Sequence, residues 1–244
     1  MTGTSGAADC SFKDLCLDGV DARTLSAFWG EVLGKVAVGE GGGSPDMRLD
    51  DPRGNGGGLV WINQVPERHE VKTRVHLDLR LPLDDPAPLV ALGAQVLREP
   101  GGDVHWWVLA DPEGNEFCAF GPGPWPAPAR PEPFELVVDS VDPAASARWW
   151  AERTGGTAVV GEKPWSWIEG AAGFPYRYWV FAPVPEPKTV KNRLHWDVRV
   201  PLEDPSGLVA AGARVLAEPS PDSDWWVMAD PEGNEFCAFT PAQA

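Results

Sequence analysis

Apolar and polar residues alternate along FKDLCLD (12–18), the period of a half-buried strand. From Ala22 to Leu33 the apolar positions recur at helical spacing and stop at Gly34, which predicts a helix closed by glycine. Short strand-like pieces follow, GLVWINQV (58–65) being the clearest. RVHLDLRL (74–81) alternates again, Pro86–Gly93 has the pattern of a short helix, and AQVLRE, HWWVLA and NEFCAF read as three further strands. The predicted order is strand, helix, strands, then the same once more.

The whole order then recurs. Arg74–Phe120 aligns with Arg193–Phe239 at a constant offset of 119, with 32 identities in 47 positions and no gap, a match that excludes coincidence. The front parts align more loosely, DGVDARTLSAFWGEVLG (18–34) with DSVDPAASARWWAERTG (139–155), at an offset of 121. A tandem duplication follows. GPGPWPAPARPEP (121–133) lies between the copies, and its prolines favour an extended, semi-rigid linker. The expected domains are 1–120 and 134–244, with 121–133 joining them.

Inside each copy the strand faces can be assigned. DPEG (111–114) suits a type I turn, with Gly114 in a left-handed position. That turn pairs Ala110 with Glu116, Val108 with Cys118 and Trp106 with Phe120, so Trp106, Glu116, Cys118 and Phe120 share a face. Trp107, Leu109, Phe117 and Ala119 share the other. In RVHLDLRL, Val75, Leu77, Leu79 and Leu81 form an apolar face for packing under a helix. The opposite row is Arg74, His76, Asp78 and Arg80. The second copy repeats that row as Arg193, His195, Asp197 and Arg199. A polar row of this kind meets solvent or lines a wet cleft.

Composition narrows the function. A formal net charge of −16 disfavours nucleic acid and anionic membranes, and favours neutral or cationic partners. No apolar run reaches the length of a membrane helix, and the N-terminus lacks a signal-peptide pattern, so a cytoplasmic protein is expected. Four cysteines without CxxC spacing do not make a disulfide framework. Cys118 and Cys237 are expected to be inert thiols, because Glu116 and Glu235 beside them oppose thiolate formation. His69 and His105 have no counterpart in the second copy and are expected at the surface. GEGGGSPD (39–46) and RGNGGG (53–58) read as flexible loops.

Thirteen tryptophans are many for 244 residues. Trp29, Trp150, Trp107 and Trp226 are expected in the core. Trp61, Trp106 and Trp225 are expected to face a cleft, with Trp165, Trp167 and Trp179 near its rim in the second copy. Aromatic walls with scattered carboxylates suit a flat, apolar or cationic small molecule.

The order of these motifs resembles the vicinal oxygen chelate superfamily of glyoxalases, bleomycin-resistance proteins and extradiol dioxygenases. The carriers are Asp21 to Trp29 and Asp142 to Trp150 on the helices, VPE followed by R-x-H-x-D, and DPEGN before the last strand. The resemblance implies an α+β fold of two tandem domains. Each would be a pair of βαβββ modules whose mixed sheet curls around a cleft, and one chain would form a pseudo-dimer. It places metal-ligand positions on Asp14, His76 and Cys118 in one copy and on Glu135, His195 and Cys237 in the other. The remaining position of each set falls near Trp61 or Asn63 and near Val180 or Ala182, which bear no carboxylate or histidine.

With two of four ligand positions altered, the leading expectation is a metal-independent small-molecule-binding protein related to the antibiotic-binding branch. Its contacts would be Trp61, His76, Asp78, Trp106, Glu116 and Phe120, with His195, Asp197, Trp225, Glu235 and Phe239 in the second copy. The alternative is a lyase, isomerase or dioxygenase. There His76, His195, Asp14 and Glu135 would act as acid and base, or the mixed sets would hold zinc, iron or manganese.

Overall fold

The computed structural model describes residues 8–52, 59–221 and 223–241, so the loop expected over 53–58 lies outside the described residues. Among the described residues are sixteen strands, in two mixed sheets of eight, and four helices. The chain divides into two compact units. One is Cys16–Val137; the other holds the described residues from Val138 onward together with those up to Leu15.

The first unit contains the end of β1 (Ser11–Gly19), α1 (Ala22–Leu33), β2 (Val36–Gly39), β3 (Met47–Asp50) and β4 (Leu59–Gln64). It continues with β5 (Val75–Arg80), α2 (Ala87–Ala91), β6 (Gln95–Arg98), β7 (Trp107–Ala110), β8 (Glu116–Phe120) and the start of β9 (Glu132–Ser140). Its strand orders are β1-β4-β3-β2 and β9-β5-β8-β7-β6. The second unit repeats this with α3 (Pro143–Thr154), β10 (Thr157–Val159), β11 (Ser166–Glu169), β12 (Tyr178–Pro183), β13 (Leu194–Arg199), α4 (Ser206–Ala210), β14 (Arg214–Ala217), β15 (Trp226–Ala229) and β16 (Glu235–Phe239). Here the orders are β9-β12-β11-β10 and β1-β13-β16-β15-β14. The unit boundaries fall inside β1 and β9, not in the proline-rich segment, because each of these strands begins in one unit and ends in the other.

Local chemistry explains the elements. The Asp21 side chain accepts from Thr24 N at 3.0 Å to cap α1, and Gly34 ends the helix at φ 64°. Asp142 and Gly155 do the same for α3. Val75, Leu77, Leu79 and Leu81 are all buried, as their alternation predicts. In the second unit the core is aromatic. Trp150, Trp179 and Trp196 are fully buried, with Trp150 centred 5.0 Å from Trp179 and 5.3 Å from Trp196. Trp179 was expected at a rim. It lies instead on the inward-facing positions of β12 with Phe181, against Phe174 and Trp196. Trp107 and Trp226 were expected in the core but are only half-buried. The Trp107 indole N–H donates to Asp84 Oδ1 at 3.2 Å, at the open start of β7.

The repeated DPEGN stretch is a fastening device. Asp111 is buried and accepts from Glu113 N, Asn115 N, Asn115 Nδ2 and the indole N–H of Trp29 on α1. Glu113 reaches the turn before α1 and accepts from Val20 N at 2.8 Å and Asp21 N at 2.6 Å. Gly114 takes φ 93°, as the turn requires. Asp230, Glu232 and Asn234 repeat the arrangement, with Trp150 as the indole donor. The hairpin thus locks the helix of its own unit, and this explains why the stretch recurs almost unchanged.

Candidate functional site

The middle strands of the first unit bring four reactive side chains together. β5 and β8 run parallel with Asp78 opposite Cys118, so His76, Asp78 and Cys118 share a face. His76 Nε2 lies 3.7 Å from Cys118 Sγ and 3.3 Å from Asp78 Oδ1. One ligand atom from each of the three residues falls within 4.8 Å of the others. Asp78 is buried, and its Oδ1 receives no hydrogen bond although the imidazole stands 3.3 Å away.

Glu135, on the other neighbour of β5, completes the group. Burial raises its carboxyl to about 8, with further contributions from the charge and hydrogen bonding of Asp78. Burial likewise pushes the Cys118 thiol far above its ordinary value, reinforced by Asp78, while Lys72 and a hydrogen bond from Trp106 oppose the shift. Thiolate formation at Cys118 is therefore disfavoured in the metal-free chain. The cause is burial and Asp78, not Glu116.

Aromatic rings stand beside these groups. Trp106 stacks on Phe120 at 5.3 Å, the register predicted from the turn, and Phe134 meets Phe120 edge-on at 5.4 Å. Glu116, expected to point at a ligand, closes a loop instead. It accepts from Thr73 N at 2.8 Å and lies 3.3 Å from His69 Nε2. Burial pushes the Glu116 carboxyl up, but the Thr73 bonds and His69 outweigh this and hold it below its ordinary value. His69 is consequently half-buried, not a surface residue, whereas His105 is exposed as expected. Trp61, half-buried on β4, lies under the Arg48 guanidinium at 5.6 Å.

The second unit repeats much of the pattern. His195 Nε2 lies 3.8 Å from Cys237 Sγ, Asp197 is level with Cys237 on the paired strand, and Trp225 stacks on Phe239 at 5.6 Å. Glu235 again closes a loop, through Lys188 Nζ at 2.6 Å and Asn192 N at 3.1 Å. Lys188 thus does the work of His69. A further difference is Lys13, which forms an ion pair with Asp14, lies 3.7 Å from Asp197 Oδ2 and sits 4.1 Å over the Phe239 ring.

These groupings correct the expected ones. Glu135, not Asp14, joins His76 and Cys118, and Asp14 belongs to the unit of His195 and Cys237. The reason is that β1 and β9 exchange: each copy's first strand pairs with the other copy's R-x-H-x-D strand.

A family model described as a glyoxalase-like domain matches residues 14–120 and again 135–239. The chain belongs to the glyoxalase-like domain family. Among solved structures, this glyoxalase-like chain is similar to glyoxalase I from Zea mays, with a TM-score of 0.66 at 14% identity, over 96% of this chain and 93% of that one. A proposed dioxygenase from Bacillus subtilis gives a TM-score of 0.64 at 11% identity, over 96% and 86%. The cppA protein of Streptococcus pneumoniae gives 0.50 at 12% identity, over 94% and 98%. Comparison with curated proteins finds no match. The fold is that of the vicinal oxygen chelate superfamily. Among the described residues, no helix is long and apolar enough to cross a membrane.

Two residues of the glyoxalase-like sites escaped the sequence reading. Lys13 and Phe134 occupy equivalent positions at the 121 offset, next to Asp14 and Glu135, and differ in charge. That difference is visible in the alignment of the two copies. Its meaning depends on the strand exchange, which no local pattern encodes.

Proposed function

We propose that this glyoxalase-like protein is a metal-dependent enzyme acting on a small molecule at the first-unit site. The observation that carries the reading is the convergence of His76 Nε2, Cys118 Sγ and an Asp78 carboxylate within 4.8 Å, with Asp78 Oδ1 buried and lacking a hydrogen-bond donor. A buried carboxylate oxygen without a donor is costly, and a bound cation relieves that cost. Imidazole, thiolate and carboxylate form a mixed donor set accepted by zinc and by divalent iron. His76, Asp78 and Cys118 would hold the ion. When bound, it supplies Lewis-acid polarisation of a substrate oxygen.

The remaining work falls to the chain's own residues. Burial and the neighbouring Asp78 raise the Glu135 carboxyl well above its ordinary value, and it stands where a carboxyl can give a proton to a substrate or take one away. Trp106, Phe120 and Phe134 offer an apolar wall that orients a flat substrate and excludes water. Counting ligands within one copy favoured a metal-independent binder. Asp78 is a donor that this count left out.

Elemental analysis of chelator-stripped protein reloaded with zinc or manganese tests the reading. One ion per chain is expected, lost in His76→Ala. A wild-type chain that retains no ion would refute it. The same aromatic wall favours a second reading, a binding protein for flat or cationic molecules. Quenching of tryptophan fluorescence by such ligands, equal with and without metal, would favour that reading.

A further inference from the structure

The two His–Asp–Cys groups look equivalent in sequence, yet their charge environments differ. In the second unit Lys13 lies within ion-pair distance of both Asp14 and Asp197 and covers the Phe239 ring. Its side chain is only 14% exposed, so the ammonium is held among these groups and is not waving in solvent. At the equivalent position of the first unit stands Phe134, packed edge-on against Phe120, the counterpart of Phe239. One site therefore carries a cation of its own covalent structure between its carboxylates. The other has an apolar ring in that place.

We infer that Lys13 acts as a built-in cation that denies the second site to divalent metals, so that the chain takes one ion, at His76, Asp78 and Cys118, and none at His195 and Asp197. The inference rests on the metal reading for the first site. An ammonium beside Asp197 neutralises the carboxylate that a divalent ion would need, and repels that ion at a separation where low-dielectric surroundings leave the repulsion strong. Lys13 is thus a specificity-determining residue for the metal, acting through charge and not as a ligand. In the first unit Phe134 fills the equivalent position with an apolar ring.

The test is ion stoichiometry in the full chain, by equilibrium dialysis against zinc and, in parallel, manganese. Lys13→Phe is expected to bind one ion more than wild type, and the added ion should vanish in Lys13→Phe combined with His195→Ala. Lys13→Met, which keeps the apolar stem without the charge, should behave the same way and serves if the phenylalanine variant does not fold. The reciprocal change, Phe134→Lys, is expected to abolish the wild-type ion. Two ions on wild-type protein, or no added ion in either folded Lys13 variant, would overturn the inference. The metal reading fails on a different result, a wild-type count of zero, so the two can be told apart.

Discussion

Replacing Asp111 by alanine should cost the first unit a large part of its stability. The carboxylate is 3% exposed and accepts four hydrogen bonds, from Trp29 Nε1 at 3.1 Å, Glu113 N at 2.9 Å, Asn115 N at 3.0 Å and Asn115 Nδ2 at 2.8 Å. The bonds to Trp29 and to both Asn115 donors are buried. Each buried donor left without a partner costs about 1–3 kcal/mol. Against this stands the burial of the carboxylate itself, which raises its pKa and is relieved by the substitution. The balance is a loss of about 3–5 kcal/mol, a large share of the 5–15 kcal/mol typical of a domain. Urea unfolding followed by tryptophan fluorescence measures it, read unit by unit because two compact units need not unfold together. Asp230→Ala should cost the second unit a similar amount, since Trp150 and Asn234 repeat the network. Trp29→Phe, which removes one donor and keeps the others bonded, should cost clearly less than Asp111→Ala. A loss below about 1 kcal/mol for Asp111→Ala would refute the view that this network fastens hairpin to helix.

Three further outcomes are expected. Between the ordinary glutamate value of 4.5 and about 8, the folded chain holds a proton on Glu135 that the unfolded chain has released. The associated stability is present in full below that window and is lost as pH rises through it, by up to about 1.4 kcal/mol per pH unit. In chelator-treated protein Glu135→Gln should flatten this decline, and identical pH profiles would contradict the account. Cys118 should react with iodoacetamide at neutral pH at least about tenfold more slowly than the same thiol in urea, because burial and Asp78 suppress its thiolate. Gly114→Ala should destabilise the first unit by about 1–2 kcal/mol in thermal unfolding. Its φ is 93°, and an added Cβ would stand 3.2 Å from His69 Nδ1.

Much of the fold was legible in the chain. Ala22–Leu33 is the helix the apolar spacing predicts, with the expected glycine stop. The hairpin register from Ala110 and Glu116 to Val108 and Cys118 follows from one turn. These are local matters, decided by dihedral preferences and the two-residue period of a strand. The partnering of strands is not local. Nothing in FELVVD or FKDLCLD states which R-x-H-x-D strand each will join, because both copies offer the same edge. For that reason Glu135 and Asp14 were assigned to each other's sites. The acidic residues beside the thiols misled in a different way. Glu116 and Glu235 lie on the expected face, but the loops before β5 and β13 turn back to bond them, a long-range event without sequence periodicity. Trp179 shows the limit of reading aromatics as ligand walls, since tryptophans are also efficient filling for a core.

The central claim is that His76, Asp78 and Cys118 hold a divalent metal beside Glu135. Anomalous diffraction from crystals of the chelator-stripped, zinc-reloaded chain tests it most directly. The account predicts one strong peak per chain, within bonding reach of His76 Nε2, Cys118 Sγ and an Asp78 oxygen. A peak elsewhere, or none at this site under saturating zinc, would contradict it.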